Sequence, residues 1–279
     1  MISHVSIGNA GRFGNQMFQF AALLGIADKT GYDVKIPLEN TRDDAFSFYD
    51  LSKQAAEPTG MELRKPFDIP DSFFTSQNEV YETIKQRYQE PFFHFSPAVF
   101  DIPDNTDISG YFQSEKYFKH AEDIVRDSFT FRPEIRERAE RELANIKDDA
   151  PRVSIHVRRG DYVANSGNHT VTGLNYYGEA ISKFFYDKQY RFVVFSDDPE
   201  WCRDAFDGGY VVDINDSYTE MCMMSMCDHH IIANSSFSWW GAWLNPNPKK
   251  IVTAPSQWFG PNLKHNSILD LLPTEWFWV

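Results

Sequence analysis

Two charged side chains stand side by side where a buried strand should end. Residues 154–163 read SIHVRRGDYV, so an apolar run leads directly into Arg158 and Arg159. A charge taken out of water without a partner is costly, which makes such a strand end unusual. Because side chains alternate along a strand, His156 and Arg158 share one face. The guanidinium fork of arginine suits phosphate, so this strand end is a candidate anion site.

A purely structural role for the same residues remains open. Gly160 allows a sharp turn, and Asp161 follows it within reach of the arginines. Arg158, Arg159 and Asp161 would then form an ion-pair cluster that only holds the chain together. The motif alone therefore predicts either an anion clamp or a structural cluster.

A second polar segment follows another apolar run. In IIANSSFSWWGAWLN, the residues Asn234, Ser235 and Ser236 stand between a predicted strand and a predicted helix. Serine and asparagine are good helix caps, and simple capping is one interpretation. The free N–H groups and positive dipole end of a helix also bind phosphate. Two anion-favouring strand ends in one sheet indicate a diphosphate site.

A third polar segment, GRFGNQ at residues 11–16, lies at the first strand-to-helix turn. Its glycines lack the G-x-G-x-x-G spacing, and no acidic residue follows at the ribose-binding place, which disfavours a dinucleotide oxidoreductase. Arg12, Asn15 and Gln16 instead offer directional polar groups. The alternative is a tight turn with a helix cap.

The elements that must position these residues alternate along the chain. The segments RVSIHV, RFVVF, GYVVDI, HHIIAN and KIVTA read as buried strands with helical stretches between them. This pattern predicts a parallel sheet covered on both faces, with ligands beyond the carboxyl ends of its strands. The N-terminus reads as a βαβ unit. We therefore predict an α/β protein with two Rossmann-like domains, residues 1–150 and 151–279, facing a central cleft.

Composition limits the class of partner. A net charge of −13 argues against nucleic acid, so a bound anion must be met by a local basic pocket. The N-terminus has no signal-peptide pattern, and no apolar run is long enough to span a membrane. These features predict a cytoplasmic protein.

The sequence resembles the bacterial α-1,2-fucosyltransferases of glycosyltransferase family 11. The resemblance covers residues from about 5 to 255 and rests on GRFGNQMFQ, ISGYFQSEKYF, HVRRGDY, FSDDPEW and IIANSSFSWWGAWLN, in this order. It implies an inverting GT-B-like transferase that needs no metal or other cofactor. The implied reaction moves L-fucose from GDP-β-L-fucose to the 2-hydroxyl of a terminal β-galactoside, in glycan or O-antigen synthesis.

The resemblance also implies partners and a place of action. The acceptor would be an oligosaccharide or a lipid-linked glycan, and the latter would bring the enzyme to the inner face of the membrane as a peripheral protein. Two other interpretations stay open: a related transferase for a different nucleotide sugar, and a noncatalytic protein that binds a glycan or a nucleotide.

Donor-side roles follow from the resemblance residue by residue. Arg158 would clamp the diphosphate, and His156 would hydrogen-bond a phosphate oxygen or orient Arg158. Arg159 would hold the loop or contact the nucleotide. Asp213 resembles a carboxylate that reads guanine in related enzymes, although Asp216 could serve instead. Further donor contacts are implied for Arg12, Gly14, Asn234, Ser235, Ser236 and the N–H of Phe237.

The reaction centre and the acceptor site are assigned in the same way. Asp161 could accept the proton of the acceptor hydroxyl, or it could pin Arg158. Asn15 resembles an asparagine at the reaction centre of protein O-fucosyltransferases; an amide is no base, so it would position a hydroxyl or the leaving group. Gln16, Tyr111 and Gln113 would contact the acceptor, although core packing explains Tyr111 equally well.

Two further features complete the expectations. Asp197-Asp198-Pro199 is the one tempting metal-binding cluster, but a capping aspartate before proline is an ordinary helix start, and no third ligand is apparent. We therefore predict no metal. The closing EWFWV is either a docked tail or an exposed aromatic patch.

Overall fold

In the computed structural model, residues 1–9, 11–38 and 60–279 are described. They divide into two units, namely Met1–Thr130 with Ser267–Pro273, and Phe131–Asn266 with Thr274–Val279. Ala10 and residues 39–59 lie outside the described residues.

The division falls after Thr130 rather than at the predicted position of residue 150. The intervening charged helix is α4, Pro133–Ala144. Its buried residues Ala139 and Leu143 belong to the same core cluster as Phe195 of the second unit. Because a helix belongs with the core in which its apolar side is buried, α4 opens the second unit instead of closing the first.

The first unit is built on short parallel strands. Its elements are β1 Ile2–Ser3, α1 Phe13–Thr30, β2 Ile36–Pro37, β3 Phe74–Thr75, α2 Gln77–Thr83, β4 Gln86–Gln89, β5 Thr106–Ser109 and α3 Glu122–Ser128. β5 lies between β1 and β4, and β2 pairs with β3. A bridge from Ile2 to Val34 places the start of the β2 segment on the other side of β1. The strand order therefore reverses at β1, because the chain continues first on one side of β1 and later, with β4 and β5, on the other side.

Helix α1 is buried on nearly every side from Phe13 to Ile26. A helix that is apolar all round belongs inside a protein, and α1 is the central helix of its unit. It ends at Gly31, because the left-handed φ of 75° there suits glycine. Within the described ranges, no helix combines the length and the apolar character needed to cross a membrane.

The second unit contains a six-stranded, wholly parallel sheet in the order β11-β10-β9-β6-β7-β8. Its strands are β6 Arg152–Val157, β7 Arg191–Ser196, β8 Tyr210–Val211, β9 His229–Ile231, β10 Val252–Ala254 and β11 Phe277–Trp278. Its further helices are α5 Gly160–Ala164, α6 Leu174–Phe184, α7 Pro199–Ala205, α8 Ser217–Ser225 and α9 Ser236–Leu244. Counted from β6, the order is the 3-2-1-4-5-6 of a Rossmann sheet. The prediction of an α/β fold with parallel sheets is confirmed.

The predicted alternation along β6 is confirmed by what each face contacts. Val153, Ile155 and Val157 belong to one core cluster, which includes Tyr177 of α6. On the other face, the Ser154 hydroxyl lies 2.8 Å from Nδ1 of His230. The period of two thus separates an apolar layer from a polar one within a single strand.

The C-terminal tail combines both predicted alternatives. β11 pairs with β10, and the Trp276 ring, buried, lies 5.4 Å from the Trp239 ring between centroids. Phe277 and Trp278 nevertheless remain 44% and 39% exposed. The tail is docked by its backbone and by one tryptophan, while its last aromatic side chains lie at the surface.

His230 is a buried imidazole held on both sides. Nε2 lies 2.7 Å from the Asn245 amide nitrogen, which donates to it, so Nδ1 carries the proton and donates to Ser154. Burial, with the charge of Lys250 adding to it, lowers the pKa of His230 to about 3. The imidazole is therefore neutral in the folded protein at neutral pH.

We expect acid to destabilise the fold through His230. The imidazole of the unfolded chain titrates near pH 6.5. Below that pH the unfolded chain therefore binds a proton that the folded protein does not bind. Between pH 7.5 and 5.0 this linkage should lower the free energy of unfolding by about 2 kcal/mol. Urea unfolding of wild type and His230→Gln at both pH values measures it; equal losses in the two proteins would contradict this account.

Candidate functional site

The polar segments of the second unit meet at the carboxyl edge of its sheet. β6 pairs in parallel with β7 on one side and with β9 on the other, so all three strands end at one edge. The strand order reverses between β6 and β9, which is where open α/β sheets bind ligands. Arg158 and Arg159 follow β6, and Ser235 and Ser236 follow β9. The structure therefore brings both predicted anion-binding segments to the switch point.

Arg158 is held between two carboxylates. Its Nη2 lies 2.6 Å from Asp161 Oδ1, and its Nη1 lies 2.8 Å from Asp197 Oδ2. The guanidinium carbon lies 5.5 Å from the centre of the Tyr162 ring. The ion pair between Arg158 and Asp161 that the structural interpretation expected is thus present. It lies at the ligand-binding edge, with 19% of the Arg158 side chain still exposed.

The sequence suggests Asp197 only as a candidate metal ligand, whereas its observed contacts are with an arginine and with backbone N–H groups. Its Oδ1 accepts hydrogen bonds from the N–H groups of Arg159, at 2.9 Å, and Gly160, at 3.2 Å. Its Oδ2 pairs with Arg158. These contacts follow from the pairing of β7 with β6, because Asp197 is the first residue after β7. One carboxylate therefore fixes both the turn and the first arginine.

The side chain of Arg159 contacts different residues from those that hold Arg158. Its Nε lies 3.0 Å from Asp198 Oδ2, and its guanidinium carbon lies 4.0 Å from the centre of the Trp201 ring. Asp198 also caps α7, accepting from the Trp201 N–H at 3.3 Å, with Pro199 in the first turn as predicted. Of the two roles predicted for Arg159, these contacts favour holding the loop.

His156 carries a buried polar atom without a partner. The residue is 5% exposed, and its Nδ1 has no hydrogen-bond partner. Burial, reinforced by the charge of Arg158, lowers the pKa of His156 to about 3, so the ring is neutral. Its centroid lies 5.6 Å from that of the Phe237 ring, at the start of α9. An unpaired buried nitrogen costs free energy that a bound ligand would recover.

The start of α9 has no side-chain cap. Ser235 precedes the helix in an extended conformation, and its side chain makes no capping hydrogen bond. Its carbonyl accepts the first helical bond, from the Trp239 N–H at 3.0 Å. The N–H groups of the first turn have no carbonyl partner in any helix and favour an anion. Ser236 and Phe237 lie in this first turn, which supports the predicted phosphate site over simple capping.

Asn234 is engaged with its neighbours. Its Nδ2 donates to the carbonyls of Thr170, at 2.9 Å, and Trp258, at 2.8 Å, and its Oδ1 accepts from the Thr172 hydroxyl at 3.1 Å. The Tyr162 hydroxyl donates to the Asn234 carbonyl at 2.9 Å. The observed role of Asn234 is to hold the two loops that border the strand end.

The two candidate guanine carboxylates differ in their contacts. Asp216 caps α8, accepting from the Thr219 N–H and hydroxyl, and pairs with Arg138 at 2.6 Å. Asp213 is exposed and has an ion pair with Arg203. Burial, followed by the charges of Asp216 and Asp213, raises the pKa of Glu220 to about 7. This side of the edge is acidic, and Asp213 is its more accessible candidate for binding a ligand.

The predicted residues of the first unit also lie at a carboxyl edge. Asn15 lies in the first turn of α1 and Gln113 follows β5; the Gln113 Nε2 donates to the Asn15 Oδ1 at 2.8 Å. Tyr111 is in the same loop as Gln113 and is half-buried. Gly11, with a φ of 85°, makes room, since a Cβ there would lie 2.5 Å from Asn15 Nδ2. The two amides thus form a hydrogen-bonded pair at the point where the strand order of the first unit reverses.

The remaining residues of GRFGNQ differ in exposure. The buried Gln16 amide donates to the Gly60 carbonyl and accepts from the Glu62 N–H, both at 2.9 Å. Its observed role is to hold the chain at residue 60 against α1. Arg12, which precedes α1, is exposed, whereas Gly14 is buried in the first turn.

Among residues 1–9, 11–38 and 60–279, no group of three or more histidine, cysteine, aspartate or glutamate side chains is placed to hold a metal ion. The carboxylates of Asp197 and Asp198 are directed instead at arginines and backbone N–H groups.

We expect Gly160→Ala to disturb the Asp197 contacts. The new Cβ would lie 2.7 Å from Asp197 Oδ2, so the carboxylate must move away from Arg158. Overpacking of this kind costs about 1–3 kcal/mol, which thermal unfolding will detect. Gly173→Ala is the matched control, since its Cβ would have nothing within 4 Å. Adding Asp197→Ala should remove most of the Gly160→Ala cost; an unchanged cost would refute the assignment.

A family model matches nearly the whole chain. The model described as Glycosyl transferase family 11 matches residues 2–276. An alpha-1,2-colitosyltransferase from Escherichia coli is 28% identical over 288 aligned residues, covering 96% of both chains. The O-antigen biosynthesis glycosyltransferase WbnK from Escherichia coli is 41% identical over 136 residues, 45% of each chain. The galactoside alpha-(1,2)-fucosyltransferase 1 of Ateles belzebuth is 29% identical over 84% of this chain and 63% of its own.

Solved structures bear on the fold. POFUT1 in complex with GDP superimposes with a TM-score of 0.53 at 13% identity, covering 91% of this chain and 97% of its own. The fucosyltransferase NodZ from Bradyrhizobium gives 0.51 at 15% identity, over 88% and 92%. At such low identity the likeness concerns the fold alone, and it confirms the GT-B-like prediction.

Proposed function

Because the chain belongs to glycosyl transferase family 11, we propose that it is an inverting α-1,2-fucosyltransferase. In this proposal it transfers L-fucose from GDP-β-L-fucose to the 2-hydroxyl of a terminal β-galactoside. The names of the relatives support it, since they include a galactoside alpha-(1,2)-fucosyltransferase. The observation that carries it is the convergence of Arg158 and the start of α9 at the switch point of a Rossmann-order sheet.

The leaving diphosphate sets the chemical task of this site. As the bond from the anomeric carbon to the β-phosphate oxygen breaks, its electron pair stays with GDP. Fixed positive groups aimed at that oxygen lower the barrier. Arg158 would supply a permanent charge and a bidentate fork, and the first N–H groups of α9 would supply dipoles. The neutral His156 would complete the set, with Nδ1 meeting a phosphate oxygen as a donor.

The nucleotide would lie along the acidic side of the same edge. Guanine presents N1–H and an amino group, which are both donors and suit a carboxylate acceptor. Asp213 is exposed at that side, whereas Asp216 is committed to capping α8. Arg159, held by Asp198 and Trp201, would keep the turn after β6 in place beneath the nucleotide.

Transfer with inversion also requires that the acceptor hydroxyl lose its proton. Asp161 is the carboxylate nearest to Arg158 that remains substantially exposed, at 43%, and we assign it as the base. The Asn15 amide would orient the reacting hydroxyl or the leaving oxygen. Gln113 would fix that amide, and Tyr111 would border the acceptor.

We further propose that the reaction needs no metal and takes place in the cytoplasm. Arg158 and the helix N-terminus would neutralise the charge that a divalent cation neutralises in other sugar-nucleotide enzymes. An O-antigen glycosyltransferase among the relatives supports an acceptor carried on a lipid, at the inner face of the membrane. The exposed Phe277 and Trp278 would face that surface.

A second donor deserves a direct comparison. One relative that matches along nearly the whole chain is named a colitosyltransferase. Colitose differs from L-fucose in lacking the 3-hydroxyl group, so both sugars present the same anomeric chemistry to the diphosphate clamp. Discrimination between them must come from a group that recognises or excludes the 3-hydroxyl, and such selectivity is decided by one or two contacts.

The deciding experiment is a transfer assay with defined donors and acceptors. Purified protein is given GDP-L-fucose, GDP-colitose or GDP-mannose with lactose, and the product linkage is read by NMR. We expect α-L-fucose on the galactose 2-hydroxyl, unchanged rates with EDTA, and no product on 2′-deoxylactose. Activity only with GDP-colitose would replace the proposed donor. Fucosylation of 2′-deoxylactose would overturn the linkage, and loss of activity with EDTA would overturn metal independence.

Arg158→Lys separates charge from geometry. Lysine keeps the positive charge but loses the fork, so we expect kcat/KM to fall about 10²- to 10³-fold, as for loss of one charge-stabilising donor. Arg136→Lys is the matched control, since Arg136 is exposed on α4 and pairs only at the surface with Glu140. GDP affinity, measured calorimetrically, should fall in Arg158→Lys and stay unchanged in the control. Near-wild-type turnover in Arg158→Lys would refute the proposal that Arg158 clamps the diphosphate.

A further inference from the structure

Glu90 follows β4 and places its carboxylate beneath the loop that follows β5. Its Oε2 accepts hydrogen bonds from the N–H groups of Tyr111, at 2.8 Å, and Phe112, at 3.0 Å. Its Oε1 accepts from the Tyr117 hydroxyl at 3.2 Å. Burial, partly opposed by these N–H groups, raises the pKa of Glu90 to about 7. Both carboxylate oxygens are thus engaged by the loop and the residues after it.

The loop is shaped so that this carboxylate fits. Gly110 has a φ of 154°, and a Cβ there would lie 2.4 Å from Glu90 Cβ and 2.5 Å from its Oε2. Phe112 has a φ of 52°, in the left-handed region that costs a bulky residue about 1 kcal/mol or more. Its ring is fully buried, edge-on to the Tyr117 ring at 5.2 Å. The strained peptide is held by burial on one side and by Glu90 on the other.

This loop supplies Gln113, one of the two amides at the proposed reaction centre. Gln113 follows Phe112 directly, and its Nε2 donates to Asn15 Oδ1 at 2.8 Å. This hydrogen bond fixes the orientation of the Asn15 amide, because Oδ1 must point towards Gln113. Any change in the Phe112 backbone would move Gln113, and with it the orientation of Asn15.

We infer that Glu90 is a positioning residue for transfer: it holds the loop at residues 110–113 in the conformation that lets Gln113 orient Asn15. This inference rests on the proposed function, because it takes Asn15 to act at the reaction centre. We do not assign Glu90 as the base, because its carboxylate is directed at the N–H groups of the loop and at the Tyr117 hydroxyl. Its effect passes through the loop and not through the donor site, which belongs to the second unit.

Three substitutions of Glu90 test the geometry. Glu90→Leu removes every acceptor, and Glu90→Asp keeps the charge but withdraws it by one methylene. A displacement of about 1 Å at a reaction centre can cost up to about 10²-fold, so we expect kcat to fall about 10- to 100-fold in both. Glu90→Gln keeps an oxygen for the two N–H groups, and its amide can donate to the Tyr117 oxygen. It should retain kcat within about threefold.

The controls separate positioning from a general loss of folding. Rates are normalised to the fraction of protein that binds GDP, and GDP affinity should stay within about twofold of wild type in all three variants. Glu82→Leu and Glu82→Gln, at an exposed glutamate on α2, should leave both quantities unchanged. In the Gln113→Ala background, Glu90→Asp should add little, because both changes act on the same amide pair.

The outcomes distinguish this inference from the proposed function. If wild type transfers no fucose to a β-galactoside, the proposed function is wrong. If wild type is active and Glu90→Asp and Glu90→Leu retain its kcat, the inference alone is wrong. A parallel fall in GDP affinity, or Glu90→Gln as slow as Glu90→Leu, would also overturn it. Should Glu90→Leu not fold, the comparison of Glu90→Asp with Glu90→Gln decides the question.

Discussion

The parallel pairing of β6 with β7 and with β9 is the constraint on which the site depends. Parallel strands end at the same edge, so strand pairing alone places residues that are far apart in the chain close together. Arg158 comes from the end of β6, Asp197 from the end of β7, and Ser235 from the stretch after β9. A change in strand order would scatter them, even if every local motif were kept.

Within this frame, each positive group is balanced by a neighbour in the sheet. The chain has a net charge of −13, and the guanidiniums at the edge are paired with the carboxylates that follow β7. Such half-buried pairs lose solvation on both sides, so their net stabilisation is small. What the pairs supply is direction, because a guanidinium held at two nitrogens keeps its orientation. The neutral His156 at this edge takes no part in the charge balance, and its buried Nδ1 has no hydrogen-bond partner.

The sequence was sufficient for much of this arrangement, and the reasons are physical. The six residues RVSIHV were predicted as a strand and form β6 with the expected alternation, because a period of two leaves little freedom once one face is buried. The cap at Asp198 was equally readable from the order of aspartate and proline. The role of Asp197 was missed because it depends on which strand lies beside β6, and no local pattern encodes neighbours. Glu90 was missed for the same reason: it meets Tyr111 and Phe112 only through the pairing of β4 with β5. The boundary at Thr130 depends on where α4 buries its apolar side, which the composition of that helix alone does not reveal.

The two carboxylates around Arg158 also bear on how quickly the proposed enzyme could complete a cycle. An arginine with no alternative partner would hold its spent nucleotide tightly, and product departure would then limit turnover. Here Asp161 and Asp197 both lie within 3 Å of the guanidinium. They would compete with a diphosphate for the same nitrogens and would re-form their pairs as GDP leaves. The same competition would weaken the donor's hold, so affinity for GDP and speed of its release would be set together by one acidic pair.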